Sequence, residues 1–170
     1  RAIEVAQSGD TIEIRGDGPF LVEPLNLGSK ALTLRAGQGF TPVIRLSEAA
    51  IRAGKPLLET NARLTIEGLE FHRGGTDVAR AEQPRRLLVV NKAPLHMAHC
   101  RFLLNTNTTQ HAVHAIESPR CEVRNCFFNP GFDQRHGCIP RFRSRCHFVL
   151  IAGQGQIAQE HQPHHAGDHG

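Results

Sequence analysis

Five cysteines, at positions 100, 121, 126, 138 and 146, and eleven histidines are the side chains here with the widest chemical reach. The segment "CEVRNCFF" (121–128) sets two thiols five residues apart. Such a pair can bind zinc, close a disulfide, or sit in a wall as two small apolar groups. Zinc needs four ligands converging on one point, and no histidine follows at ligand spacing, so no metal is assigned. An odd cysteine count with no apolar leader gives little support to a secreted disulfide framework. Unpaired thiols without a leader favour a reducing, cytoplasmic compartment, although an internal piece of a larger protein would hide its flanks. His111 and His114 have no third ligand close in sequence and read as surface residues.

Acids and bases are equally scattered. Asp occurs singly at 10, 17, 77, 133 and 168, so no carboxylate cluster offers a calcium site. No catalytic residue and no cofactor are assigned. The net charge of +4 and pI near 9.1 come from arginines interleaved with glutamates, a diffuse pattern without a recognisable binding module, and no specific nucleic-acid partner is expected. No apolar run reaches the length of a membrane span. The densest polar stretch is "HRGGTDVARAEQPRR" (72–86), with "LLNTNTTQ" (103–110) after it. Arg73, Arg80, Arg85 and Arg86 together with Asn105 and Asn107 form the candidate binding face, suited to a protein or an anionic glycan.

What must position these residues is written as a repeat. "LTIEGLEF" (64–71), "LHMAHCRF" (95–102) and "CEVRNCFF" (121–128) superimpose without gaps, apolar at the first, third, sixth and eighth positions. Period-two alternation marks half-buried strands, and the central step of three marks a two-residue corner between two of them. The second corner residue is Gly68, His99 or Asn125, types that accept or are enriched at positive φ. Leu69, Cys100 and Cys126 then form one inward column, and Phe71, Phe102 and Phe128 another. Further short strands fall at 12–14, 32–34, 42–46, 56–60, 86–91 and 112–116, separated by turns rather than helices. Units too small to bury a face alone must stack into a solenoid.

The opening "AIEVAQSGDTIEIRGDGPF" resembles the start of right-handed parallel β-helix proteins of the pectate-lyase-like superfamily, and "NCFF" resembles their Asn-aromatic rung pattern. The resemblance implies an all-β, single-stranded right-handed parallel β-helix over 1–130. Residues 2–7 would be its capping helix, and Gly9, Asp10 and Thr11 the turn into the first strand. In such a coil Cys100 and Cys126 stack one rung apart as buried, unbridged thiols. The resemblance also implies a setting in large bacterial multidomain proteins, some with serine/threonine kinase domains, though no kinase motif occurs in this chain. Residues 131–170 lose the rung pattern and hold six of the eleven histidines. They are expected to be irregular, with one last strand near 147–152 and disorder beyond. Polysaccharide cleavage would need paired carboxylates on neighbouring rungs, and the chain has neither Trp nor Tyr for sugar stacking. A non-catalytic recognition or scaffold module is therefore the expected role, with a truncated or degenerate polysaccharide lyase or hydrolase as the alternative.

Overall fold

A computed structural model describes residues 2–73, 85–104, 110–129, 146–152 and 158–159. With strands numbered in chain order, every third one pairs with the next to give three sheets. The first sheet holds β1 (Thr11–Ile14), β4 (Leu32–Ala36), β7 (Leu64–Glu67), β10 (Leu95–Ala98) and β13 (Cys121–Arg124). The second holds β2 (Phe20–Val22), β5 (Val43–Leu46), β8 (Glu70–Arg73), β11 (Arg101–Leu104) and β14 (Phe127–Asn129). The third is formed by β3 (Leu25–Gly28), β6 (Leu58–Thr60), β9 (Arg85–Asn91) and β12 (Gln110–Ser118), followed by β15 (Cys146–Ala152) and β16 (Ala158–Gln159). The first fourteen strands pair in parallel, whereas β15 runs antiparallel to β12 and β16 antiparallel to β15. This is a parallel β-helix with a short N-terminal helix, α1 (Ala2–Val5).

Register follows from the repeat. Leu64, Leu95 and Cys121 stand opposite one another in the first sheet, as do Ile66, Met97 and Val123. All six are buried, because a one-residue slip would turn the whole apolar set outward. In the second sheet Phe71, Phe102 and Phe128 stack with ring centroids 5.1 and 4.8 Å apart and planes within 16° and 8° of parallel. The corner residues behave alike: Gly68, His99 and Asn125 have φ of 69°, 54° and 47°. In the first rung the register moves by two residues, so Ile12 meets Leu34 rather than Leu32, and inward phase is kept.

Three features depart from the expected pattern. A helix, α2 (Glu48–Arg52), interrupts the path from β5 to β6, where turns alone were expected. Ser47 begins it, its Oγ accepting the Ala50 N–H at 3.3 Å, with Glu48 in the first turn, a favourable helix start. Strands β2 and β3 are also new, because three or four residues around Pro24 carry too little periodicity to read. Finally β9 and β12 are seven and nine residues long, beyond the short strands expected. Strand β9 buries Leu87, Leu88, Val89 and Val90 in succession, the continuous apolar run of a strand covered on both faces.

Candidate functional site

The expected loop face is placed only in part. Arg73 ends β8 opposite Leu104, and Arg85 and Arg86 open β9 opposite Gln110 and His111. Arg73 and Arg85 are strand residues rather than loop residues, which corrects their expected position, and Arg86 lies in the strand expected from residue 86. The excursions after β8 and after β11 leave at the same corner of the coil, between the second and third sheets. Arg86 is half-buried. Arg80, Asn105 and Asn107 lie outside the described residues, as do the side chains of Arg73 and Arg85. The described residues therefore do not bring these six into one site.

The outward positions of the repeat give a better-defined arrangement. Residues at its second position form a column Thr33, Thr65, His96 and Glu122, and those at its fourth a column Arg35, Glu67, Ala98 and Arg124. At the C-terminal end these columns meet in a compact charged group. Glu122 lies on an outward face, yet its side chain is only 10% exposed. Its Oε2 receives His96 Nδ1 at 3.3 Å and Arg120 Nη2 at 3.3 Å, and its Oε1 pairs with Arg124 Nη2. Burial pushes the carboxyl up, but the Arg124 and His96 hydrogen bonds and charges outweigh it and hold Glu122 below the ordinary carboxylate range.

A second group occupies the outward face of the second sheet. Glu70, with its side chain 9% exposed, takes His72 Nε2 at 2.6 Å and Arg101 Nη1 at 3.0 Å, and Arg101 also lies over the Phe127 ring, 5.8 Å from its centroid. Near the other end of the coil, hydrogen bonds from Arg15 and then Arg35 hold Glu13 below its usual range. Asp10 and Asp17 are used locally, accepting the backbone N–H groups of Gln7 and Thr41 at 2.8 Å each. Among the described residues no group of three His, Cys, Asp or Glu side chains is arranged to hold a metal ion.

In charge, the group around Glu122 sets one carboxylate against two guanidinium groups and an imidazole. Each guanidinium has five N–H donors, and these pairs use Nη2 of each. The arginine side chains remain 67% and 54% exposed, so donors and surplus positive charge face solvent from a base fixed by strand register. The sequence carried a signal for this group: the gapless alignment that exposes the inward columns also puts Glu122 on His96 and Arg124 beside Ala98. Comparison with protein-family models, curated proteins and solved structures yields no match for this chain.

Proposed function

We propose that this chain is a non-catalytic recognition module that takes an anionic ligand on the outer face of its first sheet, through Arg120, Arg124 and His96. One observation carries the reading: a nearly buried carboxylate, Glu122, anchors more positive charge than it neutralises, which leaves the cations oriented and still in water. Thr65, Thr33 and Arg35 continue these columns along the coil, Glu67 standing among them and Glu13 neutralised by Arg15 and Arg35, so the surface beside the charged group can take an extended acidic polymer such as an anionic glycan. The described acids support the non-catalytic side of the reading, since Glu13, Glu70 and Glu122 are each engaged by their own cations. We further read the coil as a pectate-lyase-like segment of a large bacterial multidomain protein, one that can carry a serine/threonine kinase domain elsewhere. The support is the Gly-Asp-Thr opening and the Asn-aromatic rung.

A second reading, a truncated or degenerate polysaccharide lyase or hydrolase, draws on the contact between His96 and Glu122, because a carboxylate-oriented imidazole is acid–base equipment. Titration with polygalacturonate and with neutral dextran, followed by an assay of the mixtures for ultraviolet-absorbing products, separates the two. The module predicts saturable binding of polygalacturonate that weakens as salt is added, no dextran binding and no product. Product formation would replace the module by the enzyme, and equal affinity for both polymers would remove the anionic site.

A further inference from the structure

Cys100 and Cys126 sit just after equivalent corners of successive rungs, between β10 and β11 and between β13 and β14. The backbone holds them in vertical register: Phe127 N–H donates to Cys100 C=O at 2.8 Å, and Cys100 N–H donates to Cys126 Sγ at 3.4 Å. Neither is in a disulfide, and they are 0% and 1% exposed. Parallel strands stack about 4.8 Å apart, and disulfides bridge Cα atoms roughly 4.4 to 6.8 Å apart. Strand spacing thus puts the Cα separation in the bridging range, and Cys126 Sγ already reaches to 3.4 Å from the Cys100 nitrogen. Leu69, one rung earlier in the same column, offers no competing sulfur, and Cys121 lies at the start of β13, across a strand and a corner from Cys126.

We propose that Cys100 and Cys126 are an oxidative modification site that reacts with hydrogen peroxide and closes into a disulfide joining two successive corners of the coil. The Cys100 sulfur attacks one peroxide oxygen, the O–O bond breaks, and a sulfenic acid and one water result. The Cys126 sulfur then attacks the Cys100 sulfur. The S–S bond forms as the S–O bond breaks, and the hydroxyl leaves as a second water with the Cys126 proton. Two thiols and one peroxide give one disulfide and two waters. Each thiol donates to a backbone carbonyl, Cys100 to Ala98 at 3.2 Å and Cys126 to Arg124 at 3.3 Å, and the same disulfide results whichever sulfur reacts first. Burial between sheets selects a small oxidant, because a bulky disulfide reaches these sulfurs only if the rungs separate.

Trypsin provides the test, since it cuts the chain so that all five cysteines fall in different peptides: Cys100 in 93–101, Cys121 in 121–124 and Cys126 in 125–135. The folded protein is treated with hydrogen peroxide or with oxidised glutathione at equal concentration, its remaining thiols are blocked, and it is mapped without reduction. The expected result is peptide 93–101 joined to 125–135, formed at least tenfold faster with peroxide and retained in Cys121→Ala. Recovery of both peptides with blocked free thiols, linkage of either to Cys121, Cys138 or Cys146, or a glutathione adduct on Cys100 that forms as fast as the peroxide product would overturn it.

Discussion

Glu122 is the residue on which the charged group turns, and its depressed pKa fixes how its contribution varies with pH. The folded state prefers the carboxylate, so the contribution is complete above the unfolded value, near about 4.3, and is lost as pH falls through the lower folded value. Urea unfolding of the wild type and of Glu122→Gln, followed from pH 6 to pH 3, should converge as acid is added, because the wild type alone loses this term. Curves that stay parallel would mean that Arg120, Arg124 and His96 do not hold the charge. The corner residues give a backbone counterpart. Gly68 has φ of 69°, and a Cβ there would meet Ala36 Cβ at 3.1 Å. Gly68→Val should therefore cost about 1–2 kcal/mol or more, while Asn125→Gly, already at positive φ, should be close to neutral in the same unfolding assay. These corners were legible in the sequence because Gly, His and Asn share one backbone tolerance. Glu122 was not singled out, because only the apolar positions of the repeat were compared.

Strands in this coil are too short to be stable alone, and columns that cross them supply the stability. Phe102 is sandwiched between Phe71 and Phe128 and fully buried, so Phe102→Ala should cost about 3–5 kcal/mol. Phe127, which precedes Phe128 and stands opposite Arg101 on the outward side, is 41% exposed, so Phe127→Ala should cost about 1 kcal/mol or less. Chemical denaturation distinguishes the two, and equal losses would contradict the assigned register. The aromatic column could be read from "LEF", "CRF" and "CFF" because three copies agree. Helix α2 was missed because five residues span little more than one turn, too few to establish a period. Only the cap Ser47 followed by Glu48 announced it. Strands β2 and β3 have the same difficulty, and their pairing with β5 and β6 is a tertiary fact.

Across the whole molecule, the coil turns a one-dimensional repeat into faces on which residues far apart in the chain become neighbours. His96 and Glu122 are 26 positions apart and in contact. That step accounts for what could be read beforehand and what could not. The solenoid, its inward columns and its corners follow from local spacing. The charged group depends on which outward residues land on adjacent rungs, and the loop arginines were favoured because local density is visible without register. Nearest-neighbour stacking also means that a surface substitution on one rung leaves the rest of the coil intact. Arg120→Ala/Arg124→Ala thus confines the change to one rung, while also removing two of the partners of Glu122 and so lowering stability. The deciding measurement is a calorimetric titration of oligogalacturonate into the wild type and this double variant at low salt. Saturable binding weakened at least tenfold in the variant is expected, at a temperature where circular dichroism shows both proteins folded. Equal affinity in the two proteins, or no heat of binding to the wild type, would contradict it.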